Sequence, residues 1–182
     1  MVKKIIVLGV VLIMCIGIFC GCGNDKEWTL LESSECHEPF EMSDVYWNNY
    51  PNSTTVYEEA ITQFTTIDGK YTDDFGGSYI DSNGIYNICV VGSREPVKSD
   101  YLIYKRVDNS YNFLESIVEE IGKISQEFNI WKSANCNSCN RVLICLEKES
   151  KISLIIEHLK TKNLFKKDSL NFFVGQNEIV PN

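Results

Sequence analysis

A mostly antiparallel sheet with two helices on one face, an α+β fold, is what this 182-residue sequence predicts. Three observations carry the prediction. Residues 78–91 hold two β-rich runs, Ser78–Ile80 and Ile85–Val91, flanking the turn cluster Asp81-Ser82-Asn83-Gly84. Residues 110–128 repeat apolar side chains at helical spacing: Leu114, Ile117, Val118, Ile121, Ile124 and Phe128. From Ile85 onward the signals then run strand, helix, strand, strand, helix, strand.

The first residues stand outside that fold. Lys3 and Lys4 make a positive start, and the apolar run 5–19 is too short for a secure transmembrane helix, so 1–21 reads as a signal peptide. Small Gly21 stands directly before Cys22. This ending resembles the lipobox of bacterial lipoproteins, which implies cleavage between Gly21 and Cys22 and a diacylglycerol thioether on Cys22. Phe19 and Cys20 depart from the pattern, where Leu and Ala or Ser are commoner. The alternative is an uncleaved membrane anchor. Either way the remainder is held at the extracytoplasmic face of the cell membrane.

Residues 22–54 read as a lipid-tethered spacer, polar at 23–27 but carrying Trp28, Tyr46, Trp47 and Tyr50, aromatics able to dock on the domain. The domain is expected over 55–182. A short helix over 55–64 places Val56, Ala60, Ile61 and Phe64 on one side, with Ser53 or Thr54 as cap. Gly76 and Gly77 allow a sharp bend before the hairpin, and Gly84 and Asn83 suit the positive φ of its turn. A charged connection, 92–99, leads to an alternating strand at 101–106.

Ser110 caps the long helix, whose polar side carries Glu115, Glu119, Glu120, Lys123 and Gln126. Strands at 129–133 and 141–147 then enclose a loop, 134–140. Both faces of Val142–Leu146 are apolar, which makes that strand central. Lys151–Lys162 is the second helix, capped by Ser150, with Ile152, Ile155, Ile156 and Leu159 inward, and Leu170–Val174 is the closing strand. This order is that of the split βαβ, or ferredoxin-like, arrangement, whose right-handed crossovers set its first and third strands side by side. The short first helix, the hairpin strand at 78–80 and the strand at 101–106 are additions.

A resemblance sharpens the reading. Phe75-Gly76-Gly77-Ser78-Tyr79-Ile80-Asp81, then Asn87 to Gly92, Ser110-Tyr111-Asn112 and Asn140-Arg141-Val142 with Leu146, is similar to the prodomain module of α-lytic protease and streptogrisin precursors. The likeness covers about residues 71–182. It implies a fold that elsewhere assists and inhibits a cognate protease, hence a protein or peptide partner. The protease itself is missing: no G-D-S-G-G occurs, and His37 and His158 are the only histidines, so a serine triad is not credible.

Charge narrows the function classes. Losing Lys3 and Lys4 leaves 15 Lys and Arg against 25 Asp and Glu, a net of −10 against −8 for the whole chain. Such a balance argues against nucleic acid and against a domain lying flat on anionic lipid. The reading is therefore a non-enzymatic lipoprotein, without cofactor, that binds a partner by adding an extended segment to a sheet edge.

Candidate chemistry centres on thiols. Cys136-Asn137-Ser138-Cys139 is a C-x-x-C in a hairpin loop, followed by a strand where a redox pair needs a helix N-terminus. A local disulfide stapling the loop is the stronger reading for an extracytoplasmic chain, and simple thiols remain open. A small thiol or metal-binding protein is the alternative function. Its zinc set would be Cys36, His37, Cys136 and Cys139, poorly spaced because Cys36 and His37 are adjacent. Cys89 and Cys145 lie on strands expected to be neighbours and read as core, a disulfide being the alternative. His158 reads as a solvated surface residue. Asp73, Asp74 and Asp81 lack calcium-loop spacing and read as turn formers. Tyr79, Tyr86 and Tyr111 pack on a sheet or form an aromatic face, and Gly76-Gly77 lacks the spacing and lysine of a phosphate loop.

Overall fold

Alternating apolar residues on the strands and apolar stripes on the helices bury into two separate cores. The computed structural model describes residues 28–31, 42–94 and 99–175. Its elements are β1 (Thr29–Leu31), α1 (Asp44–Ile61), a 3-10 turn (Thr62–Phe64), β2 (Phe75–Ile80), β3 (Tyr86–Val91), β4 (Leu102–Val107) and α2 (Tyr111–Phe128). There follow β5 (Ile130–Cys136), β6 (Arg141–Leu146), a second 3-10 turn (Glu149–Lys151), α3 (Ile152–Thr161) and β7 (Leu170–Val174). The fold is mixed α and β, as expected.

The strands form two sheets. The first has the order β1-β7-β6-β5, and the second β2-β3-β4. In the first, β6 lies between antiparallel β5 and parallel β7, and β1 adds parallel to β7. The central place of β6 is what its two apolar faces require: Val142, Ile144 and Leu146 face the core with α2 and α3, while Leu143 and Cys145 are buried on the opposite side. Here the pairing differs from the ferredoxin-like expectation. Tyr86–Val91 is not beside β6; it sits in the second sheet between β2 and parallel β4, while β6 bonds directly to β7. The reason lies in what β3 packs on: Ile88 and Val90 share the second core with Ala60 of α1 and Phe64 of the 3-10 turn. Cys89 and Cys145, expected on neighbouring strands, thus belong to different sheets.

Helix α1 begins at Asp44, not Thr55. Ser43 is its N-cap, its hydroxyl accepting from the Tyr46 N–H at 3.3 Å, and Pro51 lies inside. Proline lacks the N–H and usually ends a helix, which is why the sequence placed the start beyond it. Tertiary contacts override that preference. Tyr46 and Tyr50 stack at 5.6 Å, Tyr50 on Tyr86 at 6.5 Å, and Tyr57 on Tyr86 at 4.2 Å, so rings on both sides of Pro51 tie α1 to β3. Ser53, expected as a cap, is instead buried in mid-helix. Its hydroxyl donates to the Tyr101 carbonyl and accepts from the Tyr86 N–H, both at 2.7 Å. Residues 29–31, assigned to the spacer by sequence, add a strand to the first sheet, and Trp28 meets Phe172 edge-on at 5.3 Å.

Ser110 does cap α2, accepting from the Phe113 N–H at 3.2 Å, and Asn129 ends it in the left-handed region at φ 55°. No side chain caps α3; a 3-10 turn through Ser150 precedes it instead. Gly84 has the expected positive φ of 75°, and a Cβ there would lie 2.4 Å from the Tyr46 carbonyl oxygen. That glycine lets the hairpin turn approach α1.

Candidate functional site

The two sheets meet at the β5–β6 turn. Its residues Cys136-Asn137-Ser138-Cys139 close with a Cys139 N–H to Cys136 carbonyl bond of 3.2 Å, and Asn140 follows at φ 53°. Strand β5 runs to Cys136, so the turn is tighter than the loop expected over 134–140. Asn137 Nδ2 donates to the Ser78 carbonyl at 2.9 Å, and the Cys89 thiol points at the Asn137 carbonyl at 3.5 Å. Asn140 Nδ2 donates to the Gly76 carbonyl at 3.1 Å and to the Asn109 carbonyl at 2.7 Å. In return the Asn109 N–H bonds Asn140 Oδ1 at 2.9 Å, and Asn109 Nδ2 bonds the Asn140 carbonyl at 3.0 Å. Asn109 and Asn140 are both buried. Thus the glycine pair, the residue before the α2 cap and the Asn140-Arg141-Val142 run converge on one polar joint.

The joint explains the two glycines. A Cβ on Gly76 would meet Val107 Cγ2 at 2.5 Å, and one on Gly77, at φ 103°, would meet Asn137 Oδ1 at 2.7 Å. Asn112 adds a further link, donating to the Tyr71 carbonyl at 2.9 Å and to Asp73 Oδ1 at 3.2 Å. Tyr111 also packs into the second core, 5.1 Å from Tyr71 and 5.8 Å from Phe75. Burial, then the Glu115 carboxylate beside it, push its hydroxyl up to about 12.

The sulfurs of Cys136 and Cys139 both lie against the Ser138 hydroxyl, at 3.5 and 3.9 Å. Four residues closed by a 1→4 hydrogen bond bring their outer Cα atoms within about 7 Å, near the upper limit of disulfide span. Burial pushes the Cys89 thiol up to about 11, against a smaller opposing effect of Lys105, so Cys89 is no nucleophile. Among the described residues no three of His, Cys, Asp and Glu group as a metal site. Cys22, Cys36 and His37 lie outside the described residues.

Other residues singled out by sequence fall into structural places. His158 is not simply solvated: its Nε2 is 2.8 Å from Glu120 Oε1, and Lys123 Nζ donates to Glu120 Oε2 at 2.7 Å. These bonds, Lys123's first, hold the Glu120 carboxyl at about 2. Asp81 ties its turn by accepting from the N–H groups of Asn83 and Ile85 at 2.9 and 3.1 Å. Asp74 pairs with Arg94 at 2.8 Å. Tyr86 and Tyr111 pack on the second core, whereas Tyr79 lies on the opposite face of that sheet, hydrogen-bonded by Lys105.

The strand edges differ in what occupies them. On β2 the carbonyls of Gly76 and Ser78 already accept from Asn140 and Asn137. On β5 the register shifts between Ile130 and Lys132, a bulge of the kind that blunts an edge. Only three residues form β1. Strand β4 is regular over six residue pairs with β3 and exposes Ile103 (43%), with Tyr101 (38%) exposed just before it. Apart from a local bridge between Ser99 and Leu102, nothing among the described residues pairs with its outer edge. The sequence predicts docking at a sheet edge without identifying the strand, and it misses Asn109, Asn137 and Asn140. The signal for the last lay in C-N-S-C-N before an apolar strand, where a residue tolerant of positive φ must close the turn.

Among the described residues no helix is long and apolar enough to cross a membrane. No family model matches the sequence, and no curated protein matches it either.

Proposed function

We propose that this chain is a non-enzymatic, membrane-tethered lipoprotein, anchored through Cys22 at the extracytoplasmic face, whose α+β domain binds a protein or peptide along the edge of β4. The observation that carries this reading is the regular, six-residue β4 ladder, whose outer side pairs with nothing among the described residues beyond the Ser99–Leu102 bridge, and the apolar residues exposed on and beside it. An extended segment can add there as a fourth strand, main-chain bonds supplying affinity and side-chain pairs selectivity. The prodomain likeness supports a protease-like partner, since the residues that carry it build the joint holding this sheet in place. Only the order of elements follows the ferredoxin-like module, its first strand being in a separate sheet. The C-x-x-C turn serves this reading as scaffold.

Photo-crosslinking in cells tests it. A benzoyl-phenylalanine at Ile103 should yield discrete adducts, and one at Leu154, exposed on α3, should not. Absence of adducts at 103, or the same adducts from both positions, refutes edge docking. Tethering is tested apart: Cys22→Ser should move the chain out of the membrane fraction and remove the lipid mass from its N-terminus.

A further inference from the structure

Strand β4 carries two adjacent cations in a chain of net charge −8. Strand alternation sends Ile103 and Lys105 to one face and Tyr104 and Arg106 to the other, as their register with Asn87, Cys89, Ile88 and Val90 shows. Neither cation is loose. Lys105 donates to the Tyr79 hydroxyl, and Arg106 Nη1 donates to the Gly92 carbonyl at 2.5 Å. An ammonium has three donors and a guanidinium five, so both keep hydrogen-bonding capacity while being held along the strand. Asp100 and Asp108 flank the strand at its two ends, where they oppose acidic neighbours.

Resting on the reading of β4 as the docking edge, we propose that its partner is an extended acidic segment of another protein. Two adjacent carboxylates of that segment lie opposite Lys105 and Arg106, and two adjacent apolar residues lie opposite Ile103 and Tyr104. A strand added about 4.8 Å away places its side chains directly beside those of β4. Opposite charges at such positions stabilise the pair and like charges destabilise it. The same two cations disfavour in-register parallel pairing with a second copy of this chain, which would set Lys105 beside Lys105 and Arg106 beside Arg106. They therefore oppose that self-pairing and select a partner of opposite sign.

The test uses the full chain in mild detergent and two fluorescent, end-blocked peptides, Ser-Thr-Val-Val-Glu-Glu-Thr-Ser and its reversed sequence, which cover parallel and antiparallel addition. Lysine counterparts of both serve as controls. Fluorescence anisotropy should show saturable binding of one glutamate peptide, at least tenfold tighter than its lysine counterpart and weakened between 50 and 500 mM salt. Lys105→Glu with Arg106→Glu should invert the preference so that the lysine peptide binds better; circular dichroism checks that the variant is folded. Equal affinity for both peptides, or no inversion, overturns the acidic partner while leaving edge docking standing. Binding of none of the four overturns it too, and the crosslinks at position 103 then decide the edge reading separately. If Lys105→Thr with Arg106→Thr dimerises yet keeps the glutamate preference, the cations are only guards against self-pairing and the proposal falls.

Discussion

Asn140→Ala should be the most damaging single change at the joint. The side chain it removes satisfies three buried backbone groups: the Gly76 carbonyl, the Asn109 carbonyl and the Asn109 N–H. An unsatisfied buried polar group costs about 1–3 kcal/mol. Some of that is recovered as water enters the space vacated, so the hydrogen-bond loss comes to about 3–4 kcal/mol. Asn140 also has φ 53°, where alanine adds about 1 kcal/mol of strain that glycine avoids. The expected destabilisation is therefore about 4–5 kcal/mol for Asn140→Ala and about 1 kcal/mol less for Asn140→Gly. Against a total of about 5–15 kcal/mol for a domain of this size, the alanine variant stands near the limit of folding.

Urea unfolding followed by circular dichroism and tryptophan fluorescence measures this. Trp47 lies on α1 against the Tyr46 and Tyr50 rings and Trp131 on β5 of the first sheet, so the fluorescence samples both parts. With the joint intact the two probes should give one transition; Asn140→Ala should separate them, because it removes the buried centre of the joint and leaves only the Asn137–Ser78 and Asn112–Tyr71 bonds and the Tyr111 ring contacts to couple the cores. A double-mutant cycle with Asn109→Ala should show the two losses to be strongly non-additive. A loss below about 1 kcal/mol in Asn140→Ala, or additive losses in the cycle, would refute the account of the joint.

Gly84→Ala should cost about 2–3 kcal/mol, since it combines a positive φ with backbone contact at the Tyr46 carbonyl; a shift of the urea midpoint reads it. The Glu120 carboxyl is held at about 2, below the ordinary glutamate value of 4.5, so its contribution is present above about pH 4.5 and lost as pH falls toward 2. Glu120→Gln should lower the stability plateau above about pH 5 by that contribution and flatten the acid limb of the profile, since the variant has no carboxylate there to protonate. At pH 8 the Cys89 thiol, at about 11, is ionised in only about one molecule in a thousand; iodoacetamide should spare it in the native chain and label it in urea. Replacing Cys136 and Cys139 together by serine should leave the fold intact and change the stability by no more than about 2 kcal/mol, the closure entropy of so short a loop; loss of the circular dichroism spectrum would contradict the turn's role as scaffold.

Legibility in the sequence followed the source of each element's stability. Helix α2 was readable almost to the residue because one amphipathic stripe and a serine cap decide it locally. Strand β6 announced its central place through two apolar faces, and the hairpin β2–β3 through Gly84. Helix α1 was half missed, since Pro51 argues locally against a helix that is held by rings from another element. The sheet partition was missed for a similar reason. Nothing in Ile85–Val91 distinguishes packing on α1 from packing on α2; the choice is made by Phe64 and Ala60 far along the chain. The joint was invisible because asparagine side chains in turns usually satisfy their own neighbours, whereas here they reach a different sheet.

The joint and the tether enter the first sheet from different sides. Strand β1, which the chain reaches seven residues after Cys22, is one edge of that sheet; β5, whose turn holds the second sheet, is the other. With β7 and β6 between them, those edges are about 14 Å apart at about 4.8 Å per strand. On the proposed reading, the N-terminal attachment meets the first sheet away from the turn on which the second sheet, and with it β4, is mounted. The proposed anchoring and docking would then rest on different residues and should be separable. Cys22→Ser should release the chain while leaving peptide affinity at β4 unchanged, and Lys105→Glu with Arg106→Glu should alter affinity while leaving the chain in the membrane fraction. A variant at either place that changed both would mean that the edge of β4 takes part in holding the chain at the membrane, and the assignment of that edge to an acidic protein segment would have to be given up.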